Sequence, residues 1–375
     1  MKVNQLHYKG DAWAQYTVNP AFDAENCRLV LAFGSPKLIV KPEIYSYLKD
    51  EFPAADIVFS STAGEILDQD VFDETVVVTA IEFDSATIQC ANTHVGQHAN
   101  SYDTGALLMQ ELNQDGLKCV FVISDGTYIN GSELVAGFNA HNPGTVPVSG
   151  GLAGDADRFS STFTGINAVP QQGNVIAIGF YGDGLQVSHG SCGGWDEFGP
   201  ERTITRAEKN VLYEIDGKSA LDLYKEYLGD YAAELPGSAL LFPLSLKNGS
   251  GKTLVRTILS VDEEKKTMTF AGNMPEGSQV RLMKANFDKL IKASSEAAEN
   301  TEAHHPQLAI LISCVGRKLV LNDLIDEELI AAKEVLGAHT TVAGFYSYGE
   351  LSPHSKGMQC ELHNQTMTIT TFTEL

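Results

Sequence analysis

Short apolar runs recur along the chain, and most end in glycine, serine or proline. Arg28 to Phe33 is the first, closed by Gly34-Ser35-Pro36, and reads as a buried strand with its exit turn. Lys41-Pro42-Glu43 then opens a helix, with Ile44, Tyr47, Leu48 and Phe52 along its apolar side. Asp56 to Ser60 is the next strand, so this β-helix-β start predicts a parallel pair. Val76 to Phe83 and Ala86 to Val95 read as antiparallel strands, which makes the sheet mixed. Ser101 to Gln114 reads as a helix capped by Ser101, and Lys118 to Ile123 as a buried strand. Asn130-Gly131-Ser132 leads into a helix to about Ala140. A glycine-rich loop, Val146 to Asp155, follows another strand, and Asn174 to Tyr181 and Leu185 to His189 continue the sheet.

The pattern changes between Glu201 and Leu228, where extended stretches give way to a helix from Ser219 to Leu228. A boundary near here divides an N-terminal extension (1–27) and a first domain (28–218) from a second domain (219–375). The second half predicts strands at Ala239 to Pro243, Leu254 to Val261, Thr267 to Ala271, Val280 to Met283 and Leu308 to Ser313. Its helices are predicted at Asp288 to Asn300 and Asp326 to Leu336. No low-complexity linker separates the halves, so they pack firmly together. The expected fold class is α/β: two related mixed-sheet domains around a ligand cleft.

Composition narrows the function. A chain of 375 residues exceeds one comfortable core, in keeping with two domains. With 43% hydrophobic and 20% charged residues it is a globular chain rather than a disordered one. A net charge of -22 offers no positive field for nucleic acid. The start, Met1 to Gln5, runs into polar sequence without a signal-peptide core, and no membrane segment is expected. Cys27, Cys90, Cys119, Cys192, Cys314 and Cys360 are scattered, with no CxxC pair, as in a reducing cytoplasmic compartment.

The least scaffold-like stretch is Gly344 to Pro353, closed by Leu362 to Thr366. If extended, it sets Tyr346 and Tyr348 on one face, and a returning strand brings His363 beside them. Tyr346, Tyr348, Glu350 and His363 are therefore assigned to one pocket. Ser61-Thr62-Ala63-Gly64-Glu65 echoes Ser347-Tyr348-Gly349-Glu350, which suggests a duplicated unit with its loops facing a shared cleft. Ser61, Thr62, Glu65, Asp125, Gly151 and Asp155 form the facing loops. Catalytic patterns are missing: Ser124-Asp125 has no GxSxG elbow, the histidines have no HExxH spacing, and the glycine cluster lacks GxGxxG. Tyrosines and glycine loops suit a binding module that is not an enzyme. The rivals are an enzyme using Glu65 or Glu350 as acid and base, and a structural adaptor.

Seven motifs in order, SSTAGEI, SDGTYINGSEL, SGGLAGD, TITRAEKNVLYEIDGKSALDLYKEYLG, SCVGRKLVL, GFYSYGEL and LHNQT, resemble the FIST proteins over roughly residues 28 to 373. The resemblance implies a FIST N and a FIST C half, a sensory role in signal transduction and a small ligand such as an amino acid. The stretch SHGSCGGWDEFGPERTITRAEKNVLYEIDG is also similar to the NosP nitric-oxide-sensing haem proteins. That similarity implies haem b, nitric oxide as the signal, and a histidine kinase or cyclic-di-GMP enzyme as partner; it leaves room for a homo-oligomer. His189 and His363 lie in family-like motifs and are the first candidate haem ligands, followed by His339 and Cys192. A haem-free sensor of an amino acid or other polar metabolite is the alternative.

Overall fold

The computed structural model describes residues 1–144, 146–247, 253–354 and 357–375. Three of the strongest apolar runs, Leu29–Gly34, Leu117–Ser124 and Leu308–Cys314, become inner strands of three separate six-stranded sheets. Each runs parallel to the strand that returns from a following helix: Asp56–Ser61, Val148–Leu152 and Thr341–Ser347 respectively. On its other side each has an antiparallel neighbour, Val76–Glu82, Asn174–Tyr181 or Met367–Glu374. The mixed α/β architecture expected from the sequence is therefore present.

Alternation along these strands explains the layering. Leu29, Leu31 and Phe33 pack with Cys119, Phe121 and Ile123 and with Leu308, Ile310 and Ile312 in one shared core. The intervening residues point the other way. Val30 and Ala32 meet Ile44 and Leu48 of helix Pro42–Glu51, and Val120, Val122, Ala309 and Leu311 meet Leu134, Phe138, Leu329 and Ala332. Strands covered on both faces need continuous apolar sequence, as the runs in the chain supply.

The three sheets are built by exchange. Thr164–Ile166 joins the edge of Asp56–Ser61, Gly349–Pro353 joins Val148–Leu152, and Glu65–Leu67 joins Thr341–Ser347. A cyclic lock accompanies the exchange. The Ala63 N–H donates to the Tyr346 carbonyl (2.8 Å), Tyr348 N–H to Leu152 (3.2 Å), and Gly154 N–H to Ser61 (3.0 Å). The glutamate echo read from the sequence thus joins the first and third members of a three-fold repeat, whose second member is Leu117–Cys192.

Several local expectations are corrected. Val76–Glu82 and Thr87–His94 pair in different sheets rather than with each other. Asn100, not Ser101, caps helix Ser101–Glu111, accepting from the Asp103 N–H. Gly237–Leu241 is a 3-10 turn where a strand was expected, and the 254–261 run is divided into Thr253–Arg256 and Ile258–Asp262. Thr341–Ser347 and Gly349–Pro353 belong to different sheets, so the chain turns at Tyr348.

A fourth, eight-stranded antiparallel sheet is inserted between the second and third repeats. It enters on Asp196–Glu208 and leaves on Gln279–Lys284, which pair with Asp196 opposite Lys284. Helix Ala220–Leu228 covers it through Leu221, Tyr224 and Leu228. Arg256 pins this insert to the main body: its guanidinium donates to the carbonyls of Leu362 (3.0 Å) and Val255 (3.1 Å). Among the described residues no helix is long and apolar enough to cross a membrane.

Candidate functional site

The three repeats place an acid at matching positions: Glu65, Asp155 and Glu350. All three are buried, and each holds the chain that follows it. Glu65 accepts from the hydroxyl of Thr62 (2.5 Å) and from the N–H (3.1 Å) and hydroxyl (2.8 Å) of Thr75. Glu350 repeats the arrangement with Ser347 (2.7 Å) and the N–H (3.2 Å) and hydroxyl (2.8 Å) of Thr366. Burial outweighs these donors and raises the carboxyls to about 7 for Glu65 and about 8 for Glu350. Asp155 accepts from the N–H groups of Ser160 (3.0 Å) and Ser161 (2.9 Å), and from the Tyr348 hydroxyl.

The two tyrosines diverge. Tyr346 is fully buried and donates to Glu328 (2.8 Å), which also receives Ser313 and both Nε and Nη2 of the buried Arg317. That network satisfies a desolvated ion pair. Tyr348 instead reaches Asp155 and accepts from the Phe159 N–H (3.0 Å), and its ring stacks on Phe159 at 4.5 Å. Ser61 is bound between Gly154 and Phe163, and Gly151 lies opposite Glu350 in the sheet. His363 ends strand Cys360–His363 and pairs with Glu350 across the hairpin. Its Nε2 is 3.0 Å from the Ser352 carbonyl.

A cavity with aromatic and aliphatic walls lies elsewhere, between the main body and the insert. It measures about 290 Å³ and is lined by Gly126 to Gly131, Leu152, Phe159 and Tyr348 on one side. Asn210, Leu259 and Phe270 to Gly272 line the other. Tyr128, Phe159 and Leu259 are 59%, 42% and 42% exposed, unusual for such large apolar groups. Asp125 shapes the near wall: its carboxylate accepts from the N–H groups of Thr127 (2.7 Å), Tyr128 (2.6 Å) and Gly173 (3.0 Å). Asn130 caps helix Gly131–His141 through the Glu133 N–H and donates across the junction to Asn273 (2.9 Å).

Residues 28–218 match the FIST N domain and residues 220–353 the FIST C domain. The chain belongs to the FIST family. FIST domains are sensory, ligand-binding domains of signal transduction. An uncharacterized protein of Methanocaldococcus jannaschii is 26% identical over 202 residues, covering 49% of this FIST chain and 38% of the relative. The chain thus spans well under half the length of that relative. A crystal structure titled as a cyanuric acid hydrolase from A. caulinodans covers 94% of this chain and 92% of its own, at 8% identity and a TM-score of 0.34. That likeness is too slight to extend its fold or chemistry here.

The candidate haem ligands of the FIST chain are placed as follows. His189 lies with Nδ1 3.3 Å from Thr370 Oγ1 and Nε2 4.0 Å from Cys119 Sγ, and desolvation lowers it to about 4. His363 directs Nε2 at a carbonyl. Neither lines the junction cavity, whose described lining holds no histidine, cysteine or methionine. Neither imidazole is therefore placed to ligate a haem in the junction cavity. Cys192 faces Glu296 at 3.3 Å, and all six cysteines are unpaired. Among the described residues no group of three or more acids, histidines and cysteines is placed to hold a metal.

Of the site residues assigned from the sequence, Tyr348 is the one among the described lining; Asp125 and Gly151 are represented there by their chain neighbours Gly126 and Leu152. Phe159, Asn210, Leu259 and Phe270 were missed. Phe159 sits in an irregular loop, and the other three come from the insert, so only tertiary packing brings them together.

Proposed function

We propose that this FIST protein is a small-molecule sensor whose ligand binds in the junction cavity. The observation that carries this reading is the cavity's position: one wall belongs to the main body, the other to the insert, and large apolar side chains stand exposed around it. A ligand there touches both bodies, so occupancy can bias how they sit, and a signalling enzyme can read that bias. In this reading the chain is no enzyme. Glu65 and Glu350 hold backbone, and neither lines the cavity.

The more specific form, with haem b, nitric oxide as the signal and a histidine kinase or cyclic-di-GMP enzyme as partner, is supported by sequence resemblance alone. One set of measurements tests both levels. Thermal unfolding with a metabolite library should give hits that raise the transition, by about 2.7 kcal/mol at a hundredfold excess over Kd. Leu259→Trp, which fills the cavity from an exposed position, should abolish those shifts. Hits that survive Leu259→Trp would remove the junction from the reading. A Soret band saturating at one haem per chain, moved by nitric oxide and lost in His189→Ala or His363→Ala, would establish the haem form.

A further inference from the structure

We infer that the junction cavity takes an uncharged, planar heterocycle, stacked edge to face or face to face against Phe159. This deepens the sensor reading and rests on the junction cavity being its site. The first reason is the absence of charge. None of the described residues lining the cavity is Asp, Glu, Lys, Arg or His, in a protein of net charge -22.

Charged residues that neighbour the lining residues in the chain have partners of their own. Lys209 pairs with Glu133 at 2.9 Å, and Arg158 approaches Asp155 at 4.0 Å. The Asp125 carboxylate is filled by the Thr127, Tyr128 and Gly173 N–H groups and the Thr162 hydroxyl. Arg256, behind Gly272, gives its Nε proton to the Asn273 carbonyl and its Nη1 protons to those of Val255 and Leu362. A carboxylate, phosphate or ammonium on the ligand would be desolvated without a partner, which is strongly unfavourable. An amino-acid zwitterion meets that penalty twice.

The second reason is the aromatic platform. Phe159 is held at φ +49°, a backbone region that bulky residues avoid. Tyr348 accepts its N–H, and Asp155 accepts the next two N–H groups, so the ring is fixed over Tyr348 while 42% of the residue stays exposed. Backbone in such conformations persists only where surrounding contacts over-determine it. One face of the ring is used by Tyr348, and the exposed part of the residue borders the cavity. Polar groups on the wall that can meet a heterocycle's edge are the Tyr128 hydroxyl and the Asn210 side-chain amide oxygen, while the Phe270 N–H and carbonyl bond to Asn210 and the Ala271 N–H to Thr257. At about 290 Å³ the cavity lies at the low end of small-molecule sites, which suits two or three fused rings.

The test uses the full chain and four probes at neutral pH. Adenine and lumichrome are uncharged flat rings; adenosine 5′-monophosphate and tryptophan carry charge. Affinities are measured by calorimetry for the native protein and for Phe159→Ala, Phe159→Tyr and Leu259→Trp, all at exposed positions. The expected result is binding of at least one neutral ring, weakened at least about tenfold by Phe159→Ala, retained in Phe159→Tyr and lost in Leu259→Trp. Preferential binding of a charged probe that Leu259→Trp removes would overturn the ligand class and leave the junction site standing. Binding insensitive to Leu259→Trp would overturn the site as well. Failure of both neutral probes to bind would overturn the class.

Discussion

Glu65 and Glu350 are the residues whose chemistry the fold alters most. Both are protonated more readily than free glutamate because burial penalises the charge, despite three donors on each. A carboxyl raised on folding stabilises the native state fully below its unfolded value, near 4.5. That contribution is lost as pH rises through the folded values of about 7 and about 8. The wild-type protein should therefore lose stability between roughly pH 5 and pH 8, by at most about 1.4 kcal/mol per pH unit for each carboxyl. Glu350→Gln, whose amide can serve Ser347 and Thr366 alike, should flatten that slope, and the double variant with Glu65→Gln should flatten it further. Melting curves across the range check this; parallel curves for variant and wild type would mean that both carboxyls are ionised in the fold. The sequence showed these acids as an echo but not their role. The threonines that bind them, Thr75 and Thr366, are ten and sixteen residues away in the chain. The third acid, Asp155, was harder to align because its loop is one residue shorter.

Elements were more legible than contacts. Buried strands announced themselves as apolar runs because both faces are covered, and helix starts by Pro42, Asn130 and Ser219. What periodicity could not give was partner choice. Glu65–Leu67 and Gly349–Pro353 look like continuations of the strands before them, yet each crosses to another sheet. Helix crossing is set at this scale too. In helices Ser101–Glu111 and Gly131–His141, Gly105 and Gly137 face the partner backbone so closely that a Cβ would lie 2.2 Å from the Leu134 carbonyl and 2.1 Å from that of Tyr102. In an unpacked helix Gly→Ala is stabilising by about 1 kcal/mol. Here Gly137→Ala should destabilise by about 1–3 kcal/mol, since the helices must part. Denaturant unfolding reads the sign directly, and a stabilised variant would show that the crossing relaxes freely.

The main body and the insert meet along a seam that no segment of sequence displays. Asp196 and Asn286, at its two ends, are hydrogen-bonded at 3.1 Å, so the insert enters and leaves at one point. Replacing residues 197–285 with a short glycine-serine turn should leave a chain that still melts cooperatively, because the shared core of the three sheets is outside the excised segment. The same chain should lose binding of any junction ligand, having lost Asn210, Leu259 and Phe270 to Gly272. A non-cooperative melt would mean that Arg256 and its neighbours are needed to complete the body.

The exchanged strands also set a timetable for synthesis. Glu65–Leu67 has its main-body partner in Thr341–Ser347, about 270 residues later. At roughly 5–20 residues per second, a ribosome leaves that edge unpaired for about 15 to 55 seconds. Gly349–Pro353, in turn, pairs with Val148–Leu152, made about 200 residues earlier. The nascent chain therefore carries open sheet edges while the residues between these partners are made. Chaperone supply, rather than final stability, should decide how much of it is recovered from a cell.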